Sequence, residues 1–213
     1  MDTHKSVYRV EKVETDFSIT GTGNSLHWKN GTALTDFSFP WENGYLPHLS
    51  FKALQTPDWL YCLFEVTDTK VIVFVDKHDK KEVMNSDRVE LFLRRNEKMT
   101  PYYCLELDPL GRILDYKAEH YRRFDMDWSW PNNQLKVKTC QTQSGYSVEV
   151  AISKKSLIEL GVLQNNRLEA GLFRGKCMEI NEGVANLKWI SWIKPDSPSP
   201  DFHIPSSFGV LML

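Results

Sequence analysis

The chain has 213 residues, of which 41% are hydrophobic, 25% charged and 12% aromatic, with net charge −2 and a pI near 6.3. That length can bury one good core, so a single domain over residues 1–213 is expected. The near-neutral charge speaks against a phosphate-backbone binder, and the longest aliphatic–aromatic run, "VIVFV" (residues 71–75), is far too short to cross a bilayer. Neither a nucleic-acid nor a membrane partner is therefore expected.

Met1 is followed by "DTHKSVYRVEKVE", which lacks the apolar stretch of a secretory signal. The compartment stays open: cytoplasmic if Met1 is the native start, secreted or periplasmic if a signal has been removed. Oligomeric state is open as well.

Short apolar segments then recur between Gly, Pro, Asn and Asp clusters, which is the pattern of strands and turns. In order they are "SVYRVEKV", "LSFKALQT", "WLYCLFEVTD", "VIVFV", "RVELFLR", "YYCLELD", "RILDYKA", "LKVKTCQT", "YSVEVAIS", "RLEAGLFR", "KWISWI" and "VLML". The basic cluster "DKHDKKE" (76–82) is interleaved with acids and reads as a solvated loop. Turn chemistry in "DPLGR" (108–112) and "QSGYS" (143–147) predicts hairpins. Only "SKKSLIELG" (153–161) reads as a helix, with a Ser cap, apolar Leu157, Ile158 and Leu160, and a stop at Gly161. A dozen short strands and one short helix predict an all-β fold: a two-sheet antiparallel sandwich of immunoglobulin or jelly-roll type.

Cys62, Cys104, Cys140 and Cys177 are widely spaced and form no C-x-x-C, so no local zinc signature exists and buried free thiols are expected. Strand alternation in "SDRVELFLRR" groups Val89, Leu91 and Leu93 on one face and Glu90 and Phe92 on the other. If that strand pairs with "PYYCLELD" through "RNEKMT", Leu91 faces Leu105, Phe92 faces Cys104 and Glu90 faces Glu106. Facing carboxylates have Cβ atoms about 5 Å apart and destabilise a sheet unless something compensates. The candidates are a basic side chain (Arg174, Arg112 or Lys117), a cation, or the hydroxyls of a polar ligand.

The segments "SDRVELFL", "YYCLELDPLGRILD", "GYSVEVAISKKSL", "LFRGKC", "ISWIKPDSPSPDFHIPSSFG" and "VLML" together resemble carbohydrate-binding module family 9, especially its compact stand-alone members in Bacteroidetes. The likeness runs from about Trp28 to Leu213, and "SW" followed by "PDFHIPSSFG" is its most specific part. It implies a sandwich that binds sugars without cleaving them, in a slot between two aromatic walls, with structural calcium in some members. By motif position it places Glu90 and Glu106 among the hydrogen-bonding groups, and Phe202, followed by His203, on the C-terminal loop. The second wall, a Trp in the family, falls at Met84, and position 106 can be basic in the family.

On this basis the expected ligand-binding residues are Met84, Glu90, Glu106, Trp192, Phe202 and His203, with Trp192 placed beside the proline-rich loop and Trp189 in the core. Trp41 is expected to plug the core. Trp128 and Trp130, with Tyr121, Arg122 and Arg123 nearby, form a second aromatic–basic cluster that could flank the slot. The expected function is non-catalytic binding of mono- or oligosaccharides from plant-type glycans, in support of polysaccharide breakdown, with no cofactor required. Asp76, Asp79 and Asp87 could hold structural calcium, although no EF-hand-like loop is present. Three other readings stay open. The Glu90/Glu106 pair could serve a glycoside hydrolase, the sandwich could be a structural or interaction domain, or Met84 and His203 could be axial haem ligands.

Overall fold

The computed structural model of the protein describes residues 6–44 and 47–213. The strands are β1 (Val7–Arg9), β2 (Glu11–Lys12), β3 (Leu49–Gln55), β4 (Trp59–Thr67), β5 (Arg88–Arg94), β6 (Tyr102–Leu107) and β7 (Ile113–Glu119). They continue with β8 (Arg123–Asp125), β9 (Leu135–Thr142), β10 (Gly145–Ser153), β11 (Leu163–Gln164), β12 (Arg167–Asn181), β13 (Val184–Ser191) and β14 (Gly209–Met212). Helix α1 (Lys154–Glu159) follows β10, where the cap and stop residues predict it.

Two sheets face each other. One runs β1-β14-β12-β5-β6-β7-β8, with β11 and β13 also paired to β12; the other runs β2-β3-β4-β10-β9. The fifteen-residue β12 makes the larger sheet possible, because β14 pairs with its first part and β13 with its second. The pairing is antiparallel except at two edges, where β1 joins β14 and β2 joins β3 in parallel. That departs from the all-antiparallel expectation. The N-terminal stretch straddles the sandwich edge and adds one short strand to each sheet.

"VIVFV" forms no strand, contrary to its composition. Its backbone is satisfied elsewhere: Ile72 O accepts from Asp87 N (2.7 Å), Phe74 N donates to Ser86 Oγ (2.9 Å), and Arg112 Nη2 donates to Phe74 O (2.6 Å). Strands β8 and β11, of three and two residues, are too short to show a period in the sequence. The four cysteines are free; Cys62, Cys104 and Cys177 are buried and Cys140 half-buried.

Alternation sorts the side chains into three apolar clusters. Leu91, Leu93, Leu105, Leu172, Phe51, Phe64, Val148 and Val150 meet between the sheets. Phe92, Tyr102, Cys104, Phe173, Phe202 and Phe208 pack on the outer face of the larger sheet, under the C-terminal loop. Trp28, Leu54, Tyr61 and Leu63 pack on the outer face of the smaller one. β5 and β6 are therefore buried on both faces.

Trp192 belongs to the cluster between the sheets, not to the loop. Its ring lies so close to Gly209 that a Cβ there would sit 2.6 Å from it, which fixes glycine at that position. Trp192→Ala is expected to cost about 3–5 kcal/mol of stability, read by urea unfolding. Trp189→Ala, on the half-buried outer face, should cost clearly less.

Candidate functional site

Pairing of β5 with β6 sets Glu90 opposite Glu106, Leu91 opposite Leu105 and Phe92 opposite Cys104, the register that alternation predicts. Both carboxylates point to the outer face of the larger sheet, beside each other and buried. The compensating cation is Arg88, not Arg174, Arg112 or Lys117. Its Nε lies 2.9 Å from Glu90 Oε1 and 2.5 Å from Glu106 Oε2. Period two already puts residues 88 and 90 on one face, so "R-V-E" carried this signal in the sequence. Arg174 instead pairs with Asp87 (2.6 Å) and Asp68 (2.7 Å) at the edge of the inter-sheet core, and Arg112 with Asp108 and Glu82.

Arg88 is held from three sides. Its Nη1 donates to the Met84 carbonyl (2.9 Å), its guanidinium lies 5.2 Å from the Trp189 ring centroid, and Gly175 of β12 leaves room beneath it. A Cβ on Gly175 would stand 3.0 Å from Nη1 and 3.3 Å from Trp189. Tyr116 OH donates to Glu106 Oε1 (2.9 Å). The Arg88 contacts are ionic and poorly aligned as hydrogen bonds, so Arg88 Nε, Glu90 Oε1 and Glu106 Oε2 are buried with unmet hydrogen-bonding capacity.

These charges floor a cavity of about 120 Å³ walled by Trp41, Trp189, Phe202, His203 and Pro200 and edged by Arg122 and Asp201. Phe202 stacks on Phe173 (3.9 Å between centroids, 12° between planes) and meets Trp189 edge-on and Trp41 at a tilt. At 6% exposure it shows the slot little of its ring; the larger apolar faces are those of the two tryptophans. Trp41 Nε1 donates to Ser197 O (2.8 Å), tying residues 41 and 197 together across the fold.

The slot's electrostatics follow from burial. Desolvation, with Glu106 adjacent, pushes the Glu90 carboxyl up to about 8 despite Arg88. Burial would lower the Arg88 pKa, but the two carboxylates raise it overall. Desolvation, aided by Arg122, lowers His203 to about 4, so its imidazole is neutral at physiological pH. Its Nδ1 shares a hydrogen bond with Tyr102 OH (3.0 Å). Burial would raise Asp201, but Tyr121 OH, His203 N and Arg122 together hold it below its ordinary value.

Of the residues expected at the site, Glu90, Glu106, Phe202 and His203 converge on the cavity. Met84 contributes its carbonyl, while its side chain stands outside the cavity lining. Trp192 is in the core and Trp189 takes the place at the wall. The two are three apart on alternating faces, and pairing of Trp189 with Gly175 decides which faces out. Trp41, expected in the core, lines the cavity. Arg122 of the aromatic–basic cluster reaches it, whereas Trp130 is buried in the main core with Trp128 against it. Asp79 caps the 3₁₀ turn Lys80–Asn85 and Asp87 is committed to Arg174. Among the described residues no three His, Cys, Asp or Glu side chains gather to hold a metal. A separate concavity of about 280 Å³, lined by Lys12, Glu14, Gln55, Thr56 and Lys154, has no aromatic wall.

The family model described as carbohydrate family 9 binding domain-like matches residues 19–213. The exoglucanase XynX of Acetivibrio thermocellus is 29% identical over 167 residues, covering 76% of this chain; the match spans only 13% of that protein. A candidate carbohydrate-binding protein of Bacteroides uniformis superposes with a TM-score of 0.71 at 19% identity, covering 98% of this chain and 99% of that one. A family 9 carbohydrate-binding module of Caldicellulosiruptor kristjanssonii superposes in its glucose complex (TM-score 0.62, 17% identity, 97% and 95% coverage). Its cellotriose complex gives 0.63 at 17% identity, with 97% and 93% coverage. At these identities the structural likeness establishes the fold.

Two outcomes follow from the buried triad. Arg88→Met removes the cation between the two buried carboxyl groups and should cost about 3–5 kcal/mol of stability, read by urea unfolding. The folded chain keeps the Glu90 proton up to about pH 8, whereas a glutamate in the unfolded chain loses it near its ordinary value of 4.5. Its contribution to stability is therefore full at low pH and is lost as pH rises through about 8. Glu90→Gln should flatten that decline, measured as denaturation midpoints across the range.

Proposed function

Because the chain belongs to the carbohydrate family 9 binding domain-like family, we propose that this slot binds one pyranose ring of a mono- or oligosaccharide from plant-type glycans, without cleaving it. The observation that carries the proposal is the pairing of tryptophan walls with a buried Arg88–Glu90–Glu106 floor, in which Arg88 Nε, Glu90 Oε1 and Glu106 Oε2 are ion-paired but make no aligned hydrogen bond. A pyranose presents an apolar C–H face and a rim of hydroxyls. The face suits Trp189 and Trp41; the hydroxyls can donate to Glu106 and Glu90 and accept from Arg88. Protonated at neutral pH, Glu90 can also donate. Slots of this composition, an apolar wall with a few placed polar groups, are typical of small-molecule sites.

Binding, rather than hydrolysis, is favoured by the position of Arg88. A retaining glycosidase needs its two carboxyls about 5–5.5 Å apart with the scissile bond between them. Here the guanidinium Nε contacts both carboxylates and fills that gap. The small cavity also argues against haem, since pockets for drug-sized ligands run to roughly 300–1,000 Å³. This mode of binding needs no cation, and Asp79 and Asp87 are already engaged. The exoglucanase relative suggests a role beside glycoside hydrolases, with the chain supplying recognition and a partner enzyme the chemistry.

Calorimetric titration with glucose, xylose and their oligomers should give saturable heat that Trp189→Ala abolishes, that chelator leaves unchanged, and that releases no new reducing ends. Silence of the wild type across the panel would overturn the reading in favour of an interaction domain.

A further inference from the structure

Next to the slot, the edge of the larger sheet exposes two aromatic rings, Phe124 and Tyr121. Strand β8 is solvent-exposed along its length. Its first and last residues are paired with the neighbouring strand: Arg123 with Glu119 (2.7 Å) and Asp125 with Lys117 (3.3 Å). Phe124 alternates to the opposite face, the one that carries the slot, and meets His203 (5.0 Å between centroids) and Tyr116 (5.6 Å) edge-to-face. Although held by these contacts, it stays 41% exposed.

Tyr121, 54% exposed, is fixed just as firmly. Its hydroxyl donates to Asp201 Oδ2 (2.7 Å) and accepts from Arg122 Nε (2.9 Å). Both rings thus touch residues that line the slot, Phe124 through His203 and Tyr121 through Arg122 and Asp201. An ordered aromatic ring left open to water is costly on an edge strand, and it loses little further entropy when a ligand covers it.

On the reading above, the slot of about 120 Å³ takes one ring. Resting on the sugar-binding reading above, we infer that the slot continues onto the β7–β8 edge as a second contact site, in which Phe124, with Tyr121 beside it, takes the next unit of a bound oligosaccharide. A lone monosaccharide would not reach it. The chain therefore recognises oligosaccharides in preference to their single units.

The test is calorimetric titration of wild type, Phe124→Leu and Phe124→Tyr with glucose, cellotriose, xylose and xylotriose. Phe124→Leu keeps apolar bulk under the turn but removes the flat ring; Phe124→Tyr keeps the ring. The wild type should bind one trisaccharide about fivefold or more tightly than its monosaccharide. Phe124→Leu should lose most of that advantage with monosaccharide affinity unchanged, and Phe124→Tyr should retain it. Equal affinity for tri- and monosaccharide, or an equal loss on both in Phe124→Leu, would overturn the second site while leaving the slot intact. No binding by the wild type to any of the four would fail the slot reading itself, and this inference with it.

Discussion

The structure turns on a guanidinium placed between two carboxylates that face each other across β5 and β6. Glu90 and Glu106 would repel on an open strand pair, and Arg88 makes the register tolerable. Once these three ionisable groups occupy that face, it cannot simply be left to solvent or filled with aliphatics. The C-terminal loop closes over it instead, and Pro195, Pro198, Pro200 and Pro205 reduce the entropy lost when that loop orders. Phe202 anchors the loop on Phe173, in one apolar cluster with Phe208 and Phe92, which leaves the Arg88–Glu90–Glu106 triad as the floor of a slot and not as a sealed core.

The outer face of the other sheet gives the contrast. There Glu149 is also buried, and it accepts from Thr20 N (2.7 Å), Gly21 N and Trp28 Nε1 (2.6 Å). Each donor comes from the N-terminal segment, so this carboxylate clamps one stretch of chain onto the sheet. Its hydrogen bonding is met from within. Glu90 and Glu106 instead share Arg88, whose ionic contacts leave Glu90 Oε1 and Glu106 Oε2 without aligned hydrogen bonds.

Electrostatic division runs through the slot as well. The floor holds the coupled acids and Arg88, whereas the edge holds Asp201 in a separate web with Arg122, Tyr121 and the His203 amide. That web fixes the β7–β8 turn against the C-terminal loop. Slot wall, rim and adjoining aromatic edge are consequently one connected surface built from residues more than a hundred positions apart in places.

Much of this was legible in the chain itself. Period-two alternation, with turn chemistry at 108–112 and 143–147, determined the hairpins, and it determined the facing of Glu90 and Glu106, because successive side chains in a strand must take opposite faces. The "PDFHIPSSFG" motif pointed to the loop that carries the wall. What alternation could not decide was which face looks inward, since β5 and β6 are buried on both sides and offer no polar–apolar contrast. Pairing with β12 settled that, sending Trp189 out above Gly175 and Trp192 in against Gly209. Tertiary structure alone brought Trp41 and Arg122 to the slot, and alone removed "VIVFV" from the sheets. Such contacts join segments far apart in sequence, and no local period records them.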